Sequence, residues 1–218
     1  MSYEVDLVVP VKPLHRAKSR LLGAADCGRR DPGAHAALAL ALAKDTLTAA
    51  AEAPGVRRVV AITSDPEVTS ALRALGVESI PDEPDSGLNE ALRHGARVLR
   101  ETDPLARIGA LQADLPALRP AELGAALAAS EGRRAHCPDR QGTGTTLLVA
   151  GLGGELDPRF GPDSSAAHTA TGAFRLLGDW PSLRCDVDTE EDLEVAAALG
   201  LGRHSGERLL ARLRKPCP

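Results

Sequence analysis

The sequence predicts a single α/β domain in which a mostly parallel central sheet is flanked by helices. Apolar runs of strand length alternate with Ala/Leu-rich runs of helix length along most of the chain. Such alternation favours a parallel sheet with right-handed crossovers. The 218 residues suit one domain, and 43% hydrophobic with 26% charged residues are ordinary globular values. We therefore expect residues 1–218 to form one domain.

Capping residues and breakers set the elements of the first half of the chain. Asp31 and Pro32 supply an N-cap and a first turn for an Ala/Leu-rich helix, which Pro54 and Gly55 end. Gly76 ends the following helix, before a short apolar run. The predicted elements are strands at 5–10, 56–63, 77–80 and 107–112 and helices at 32–53, 66–75 and 88–100, with a further helix beginning at 120.

The second half begins with a change of rhythm. From about 133 to 162 the chain has Gly/Thr-rich segments and short strands such as Thr145–Ala150, which predicts a small inserted β segment, a lobe or hairpin beside the active site. The elements expected after it are a helix at 163–177, a strand at 183–187, a helix capped by Thr189 and a basic helical tail at about 203–215. The tail fits a solvated face or a subunit contact, and a homodimer is possible.

Composition excludes several classes of protein. Lys+Arg total 26 and Asp+Glu 30, which gives a net charge of −4 and argues against binding of nucleic acid through positive charge. Aromatic residues are only 2%, so platforms for stacking bases are lacking. No run approaches the roughly 18 apolar residues of a membrane span, and no secretory signal is visible. Four scattered cysteines fit neither a zinc site nor a disulfide framework. We expect a cytoplasmic protein without nucleic-acid or membrane partners.

A cation-rich loop follows the first strand. Lys12, Arg16, Lys18 and Arg20 lie in this loop, which two prolines stiffen. Such a loop can neutralise a polyphosphate, and a basic surface turn is the equally weighted alternative. The chain has no G-x-G-x-x-G after the first strand and no G-x-x-x-x-G-K-[ST], which disfavours a dinucleotide oxidoreductase and a Walker-type NTPase.

Carboxylates follow two other predicted strands. Asp114 comes directly after an apolar strand, while Asp186 and Asp188 are two residues apart and so point to one face. Ligands of open α/β sheets gather at the carboxyl ends of the strands, and clustered carboxylates there favour Mg²⁺. The alternative is that Asp188 is a loop acid and Asp186 pairs with an arginine.

A Gly/Thr-rich loop and a helix start form the fourth polar patch. The glycines of segment 140–148 allow close approach of backbone to a ligand, and Thr145 and Thr146 add hydroxyls. Ser164 lies at a predicted helix start, which favours an anion but also fits a plain N-cap. His168, one turn further on, is more often structural than catalytic in such a position.

Together these groups favour Mg²⁺-dependent transfer of a nucleotidyl group to a phosphorylated acceptor. An acceptor phosphate is already an anion near neutral pH, so the reaction needs positioning and charge neutralisation rather than a general base. Two alternatives stay open: a sugar-phosphate or glycosyl transferase on the same fold, and a non-catalytic binding or assembly protein.

An ordered set of motifs resembles a known family. In chain order they are V-P-V-K-P-L…A-K-S-R-L (9–21), T-S-D (63–65), G-L-N (87–89), A-D-L-P (113–116), P-D-R-Q-G-T-G-T-T (138–146), F-G-P-D-S (160–164) and D-V-D-T-E-E-D-L (186–193). From about residue 5 to 195 the chain resembles the CofC/FbiD guanylyltransferases of deazaflavin coenzyme biosynthesis. The resemblance implies a GT-A-like nucleotidyltransferase fold, related to the molybdenum-cofactor guanylyltransferases.

The resemblance also implies the reaction, which is transfer of GMP from GTP to a three-carbon phosphorylated acid with release of pyrophosphate. The acid is 2-phospho-L-lactate in archaeal members and phosphoenolpyruvate in actinobacterial ones. The Ala/Arg/Gly-rich composition is typical of a high-GC genome and favours phosphoenolpyruvate.

The resemblance implies three groups of binding residues. Three of these residues, Lys12, Lys18 and Asp114, are also the expected catalytic residues. Those expected to hold Mg²⁺ are Asp114, Asp186 and Asp188. Those expected to contact phosphoenolpyruvate are Thr146, Gly161 and Ser164. Those expected to contact GTP are Lys12 and Lys18 at its phosphates and Asp65 and Asn89 at its nucleoside. One departure, G-T-G-T-T in place of a shorter G-T-N form, leaves the acceptor-binding threonine open.

Overall fold

A computed structural model of the chain describes residues 4–14, 21–22, 24, 28–83 and 85–213. The strands are β1 (Val5–Pro10), β2 (Val56–Ile62), β3 (Glu78–Ile80), β4 (Ile108–Leu111), β5 (Ala135–Pro138), β6 (Thr145–Val149) and β7 (Phe174–Arg175). The helices are α1 (Pro32–Ala51), α2 (Pro66–Arg73), α3 (Leu88–Thr102), α4 (Pro120–Ala129), α5 (Ser164–Ala170), α6 (Glu190–Leu199) and α7 (Arg203–Leu213). Within these residues, no helix combines the length and the apolar character needed to cross a membrane.

The seven strands form one sheet in the order β3-β2-β1-β4-β6-β5-β7. β1 pairs in parallel with β2 and β4, β2 with β3, and β5 with β7, whereas β6 is antiparallel to both β4 and β5. The predicted α/β domain with a mostly parallel sheet is confirmed. Because β6 runs against its neighbours, its amino end lies at the same edge as the carboxyl ends of β1, β4 and β5. That edge collects the loops that bear the predicted site.

Helices cover both faces of the sheet. On one face, Leu7 and Val9 of β1 belong to a core shared with α1, α2 and α4. On the other face, Val8 packs in a second core with α3. Alternate β1 side chains therefore enter different cores, which explains why the strand is apolar along its length. A third cluster joins α1 to α6 through the buried side chains of Cys185 and Val187.

The predicted inserted β segment is the β5–β6 hairpin, and it belongs to the central sheet. β6 pairs with β4 as well as β5, so the hairpin widens the sheet instead of forming a separate lobe. Its strands are buried throughout, at Ala135–Pro138 and Thr145–Val149. The loop between them therefore opens at the sheet edge described above.

Two expected elements differ in the structure. The helix predicted at 163–177 ends at Ala170, because Gly172 adopts a positive φ of 84° and the Phe174 N–H donates to the Arg134 carbonyl as β7 begins. The strand predicted at 183–187 is not part of the sheet. That segment instead makes a single backbone bond to the β4 loop, from the Val187 N–H to the Asp114 carbonyl at 3.0 Å.

Candidate active site

A cleft of about 500 Å³ opens at the edge where β1, β4 and β5 end. Lys12 enters it from the loop after β1, and Asp114 from the loop after β4. Its remaining walls come from α1, from the hairpin loop, from the start of α5 and from the segment before α6. Apart from those two, the lining residues are Pro10, Val11, Leu14, Ala39, Leu42, Ala43, Leu88, Gln112, Ala113, Asp139, Gly144, Thr145, Phe160, Gly161, Ser164, Asp186 and Asp188. The cleft therefore joins most of the motifs that the sequence singled out.

Asp114 is held by hydrogen bonds on both sides of its peptide. The Leu115 N–H donates to the Thr46 hydroxyl of α1 at 2.9 Å, and that buried hydroxyl donates in turn to the Leu42 carbonyl. The Asp114 carbonyl accepts from the Val187 N–H. The β4 loop is thus fixed between α1 and the segment that carries the other two aspartates.

Asp186 and Asp188 both line the cleft, as their spacing predicts. Cys185 and Val187, which alternate with them, are fully buried in the core between α1 and α6. This alternation is that of an extended chain with one face on the core and one on the cleft. Both carboxylates therefore share one side of the segment although it is not a sheet strand.

Asp192 connects the aspartate segment to the hairpin loop. Its side chain accepts from the Thr189 N–H and hydroxyl in a capping box and from the Asp188 N–H, and Arg140 donates to it at 2.9 Å. Burial acts to raise the pKa of Asp192, but hydrogen bonds from Thr189 and Arg140 outweigh it and leave the pKa lowered. The carboxylate is therefore charged near neutral pH and holds Asp188 at the cleft.

The donor set fits a hard divalent cation that shares its coordination with a substrate. Asp114, Asp186 and Asp188 offer carboxylate oxygens to one cleft. Within the described ranges, no three His, Cys, Asp or Glu side chains converge closely enough to hold a metal by themselves. Mg²⁺ typically uses one or two carboxylates together with water and substrate phosphates, so this arrangement suits it.

The charge of the lining also favours a bound cation. Among the described residues that line the cleft, four are carboxylates and one, Lys12, is a cation. Of the carboxylates, Asp139 accepts two backbone N–H groups of the hairpin loop. A bound cation would offset the negative charge of these carboxylates and of a polyphosphate. The predicted phosphate-binding Lys18 lies outside the described residues.

Asp65, predicted at the nucleoside, lies outside the cleft lining. One of its carboxylate oxygens caps α2 by accepting from the Glu67 N–H, and the other accepts from the Leu14 N–H at 3.0 Å. Leu14 lines the cleft two residues after Lys12. Asp65 therefore positions the loop that carries Lys12.

Asn89, the other predicted nucleoside contact, also lies outside the lining. Its side-chain amide donates to the Phe160 carbonyl at 2.9 Å and accepts from the Phe160 N–H at 2.8 Å. This paired bond fixes the backbone of Phe160, which together with Gly161 forms part of the cleft wall. The direct contact of Asn89 with a nucleoside stays a prediction, while its support of the wall is visible.

Asp139 shapes the hairpin loop. Its two carboxylate oxygens accept from the Thr143 N–H at 3.0 Å and from the Gly144 N–H at 2.8 Å. Its backbone carbonyl accepts from the Arg184 guanidinium, which links the loop to the aspartate segment. The space beside Gly144 is filled, since a Cβ there would lie against Asp139 Oδ2. A side chain at this position would have to displace the Asp139 carboxylate from its two hydrogen bonds.

We expect Gly144→Ala to distort the hairpin loop. The new methyl group would meet the Asp139 carboxylate, so either the two bonds to that carboxylate or the backbone must shift, at a cost of about 1–3 kcal/mol. Urea unfolding and turnover measurements should both show a loss. Gly206→Ala is the control, because a methyl group at this position of α7 would have nothing within 4 Å and helix propensity favours alanine. Equal behaviour of the two variants would contradict the assigned role of Gly144.

Of the two neighbouring threonines, the structure places Thr145 on the cleft wall. Thr146 is fully buried, and its hydroxyl lies 3.5 Å from the Cys137 carbonyl. The predicted acceptor residues Gly161 and Ser164 both line the cleft, and the Ser164 hydroxyl lies 3.2 Å from that of Thr145. Direct contact of Thr146 with an acceptor stays a prediction.

His168 is fully buried behind this wall. Its Nδ1 lies 3.0 Å from the Thr145 hydroxyl, and its Nε2 accepts from the Arg159 N–H at 2.9 Å. The ring also packs edge-on against Phe160, with centroids 5.1 Å apart. Burial, aided by the nearby His136, lowers the pKa of His168 to about 4. The imidazole is therefore neutral at physiological pH.

Several lining residues were not assigned from sequence. Asp139 and Phe160 lie within recognised motifs and Gln112 ends a predicted strand, but residue type alone did not indicate that they face the cleft. Part of the apolar wall comes from residues 39, 42 and 43 of α1. Their three- and four-residue spacing was visible in the sequence, yet the same spacing marks any core-facing helix side.

Comparisons with known proteins identify the family of the chain. Residues 28–178 match the MobA-like NTP transferase domain. The phosphoenolpyruvate guanylyltransferase of Salinispora arenicola is 53% identical over 199 residues, which cover 90% of this chain and 89% of the relative. Further relatives of that name, including those of Streptomyces coelicolor and Mycobacterium ulcerans, are 53% and 42% identical.

Solved structures share the fold at low sequence identity. 4-Diphosphocytidyl-2C-methyl-D-erythritol synthase superposes with a TM-score of 0.60 at 13% identity, covering 90% of this chain and 99% of its own. Rv0371c of Mycobacterium tuberculosis H37Rv, in complex with manganese, superposes with a TM-score of 0.51 at 21% identity, covering 90% and 98%. With a MobA-like domain, the predicted sheet and relatives above 50% identity, the chain belongs to the phosphoenolpyruvate guanylyltransferase family.

Proposed function

We propose that this protein transfers GMP from GTP to the phosphate of phosphoenolpyruvate and releases pyrophosphate. The observation that carries the proposal is 53% identity to a phosphoenolpyruvate guanylyltransferase over 90% of the chain. The cleft supports it, because carboxylates, a lysine and a hydroxyl-bearing wall face one another across a space of about 500 Å³. The reaction is that of a nucleotidyltransferase.

The two substrates would approach from opposite walls. Lys12, together with Lys18, would face the GTP phosphates beside the β1 loop. The acceptor would lie against Gly161, Ser164 and the two threonines at the start of β6. An oxygen of the acceptor phosphate then attacks the α-phosphorus of GTP, the bond to the bridging oxygen of the β-phosphate breaks, and pyrophosphate leaves with that oxygen. No proton has to be removed from the nucleophile, because the acceptor phosphate is ionised near neutral pH.

We propose Mg²⁺ as the cation, with Asp114, Asp186 and Asp188 as the residues that would hold it. When bound, such an ion neutralises phosphate charge and helps orient the triphosphate. The bond from the Val187 N–H to the Asp114 carbonyl joins the two carboxylate segments, and the bond from the Asp188 N–H to the Asp192 carboxylate positions the second segment. The protein therefore contributes a pre-organised set of oxygen donors.

The wider setting is also a proposal. By its family, the enzyme would act in deazaflavin coenzyme biosynthesis, in the cytoplasm and without nucleic-acid or membrane partners. The basic α7 would be available as a subunit contact in a homodimer.

Pyrophosphate release under a matrix of substrates tests the function. GTP would be combined in parallel with phosphoenolpyruvate, 2-phospho-L-lactate or a sugar phosphate, and CTP and UTP would replace GTP in matched reactions. We expect release that needs Mg²⁺, GTP and phosphoenolpyruvate together. Faster release with 2-phospho-L-lactate would identify that acid as the acceptor. Faster release with CTP or UTP and a sugar phosphate would identify a sugar-phosphate nucleotidyltransferase. No release from folded protein in any reaction would indicate a binding protein.

A further inference from the structure

Behind the acceptor wall lies a buried chain of hydrogen bonds whose donors and acceptors can be counted. It runs from the Arg159 N–H to His168, on to the Thr145 hydroxyl and to the Ser164 hydroxyl, with separations of 2.9, 3.0 and 3.2 Å. Thr145 and Ser164, here called the hydroxyl pair, both line the cleft. His168 is fully buried and does not line it.

The backbone determines the tautomer of His168. A backbone N–H is always a donor, so the Nε2 that faces the Arg159 N–H must be an acceptor without a proton. The neutral ring then carries its proton on Nδ1, where it donates to the Thr145 hydroxyl oxygen. Arg159 thereby fixes the direction of the next bond in the chain.

Because His168 donates to Thr145, one hydroxyl proton of the pair is not used by the hydrogen bonds of this chain. The hydroxyl pair has two protons, and the bond between Thr145 and Ser164 uses one of them, whichever residue donates it. Because His168 donates to Thr145, the second proton is not consumed by the imidazole. It is available to the cleft, where both hydroxyls lie. With the opposite tautomer, Thr145 would have to donate to Nδ1, and the pair would have no proton left for a ligand.

We propose that His168 is a positioning residue that makes the hydroxyl pair a hydrogen-bond donor toward an anionic oxygen of the acceptor. This inference rests on the proposed function and names a residue that acts through Thr145 without touching substrate. A donor at this place recognises a deprotonated phosphate or carboxylate oxygen, and the site gains it without placing another cation in the cleft. It also ties acceptor binding to the backbone at Arg159, next to Phe160 and Gly161 of the same wall.

Two substitutions distinguish the role of Nδ1 from that of Nε2. His168→Gln keeps an acceptor near the Nε2 position for Arg159 but has no donor near Nδ1, whereas His168→Asn keeps a donor near Nδ1. We expect His168→Gln to raise the KM for phosphoenolpyruvate about tenfold with the KM for GTP unchanged, because Thr145 loses the Nδ1–H donor that orients its hydroxyl, and the bond from the hydroxyl pair to a charged oxygen is weakened. His168→Asn should restore part of the lost affinity. An unchanged KM for phosphoenolpyruvate in His168→Gln, or an equal rise for both substrates in both variants, would overturn the inference.

The tautomer can be measured in the unaltered protein, which covers the case in which the variants fail to fold. Long-range ¹H–¹⁵N correlation spectra at neutral pH should show His168 protonated at Nδ1 and unprotonated at Nε2. An Nε2–H tautomer overturns the inference whether or not the enzyme turns over. An Nδ1–H tautomer in a folded protein that guanylylates no acceptor would overturn the proposed function while supporting the bond directions inferred here.

Discussion

Asp188→Asn is expected to lower kcat/KM by about 10²–10³-fold, because it removes one negative oxygen ligand from the carboxylate set at the cleft. Asp188 is exposed on the cleft side of an extended segment, and its backbone is held separately by Asp192. The free energy of unfolding should therefore change by less than about 0.5 kcal/mol. Initial rates of pyrophosphate release at several Mg²⁺ concentrations measure the first effect, and urea titration measures the second.

Glu194→Gln provides the matched control for this charge change. Glu194 is an exposed residue of α6, six positions further along the chain and outside the cleft lining. It should retain activity close to that of the unaltered protein. An Asp188→Asn enzyme with near-full activity would contradict the assignment of Asp188 to the cation.

Asp45→Ala should cost about 3 kcal/mol of unfolding free energy. Asp45 is buried on α1, and its carboxylate accepts from the His204 and Ser205 N–H groups at the start of α7 as well as from the Ser205 hydroxyl. Its removal leaves those donors unsatisfied and removes a negative charge from a helix N-terminus. Denaturant unfolding followed by far-UV circular dichroism measures the loss.

Asp45→Asn distinguishes the roles of charge and shape. The amide retains one oxygen acceptor for the α7 backbone, so its destabilisation should fall between those of the unaltered protein and Asp45→Ala. Turnover by the Asn variant at low temperature should be preserved, since Asp45 lies outside the cleft lining. An Asp45→Ala protein as stable as the parent would show that α7 is held by other contacts.

Much of the fold was predictable because its signals are local. Asp31, Asp65 and Thr189 cap the predicted helices, and apolar runs mark the strands. These sequence signals gave the wrong element where contacts with distant parts of the chain determine the structure. Segment 171–177 contains helix-forming residues. Gly172 nevertheless turns the chain, and Phe174 and Arg175 pair with β5. Segment 183–187 has strand periodicity, but its buried side packs between α1 and α6 and the segment is not among the seven strands of the sheet.

The site was predictable where carboxylates follow strand ends, as at Asp114, and where alternation sets a face, as at Asp186 and Asp188. The site was harder to predict where the register of strand pairing determines which of two neighbouring side chains faces the cleft. The β5–β6 pairing shifts between Cys137 and Pro138, opposite the point where Thr145 lines the cleft and Thr146 is buried, and such irregularities are not visible in the sequence. Likewise, no sequence pattern shows that Asn89 turns toward the backbone of Phe160.

Mass spectrometry of the product formed from GTP and phosphoenolpyruvate tests GMP transfer most directly. We expect one new compound with the mass of GTP plus phosphoenolpyruvate minus pyrophosphate, with ³¹P signals of a two-phosphorus anhydride. Phosphoenolpyruvate labelled with ¹⁸O in its phosphate should place the label in the bridge, because the acceptor oxygen is the nucleophile. Formation of GMP and pyrophosphate alone, or an unlabelled bridge, would contradict transfer to the phosphate of phosphoenolpyruvate.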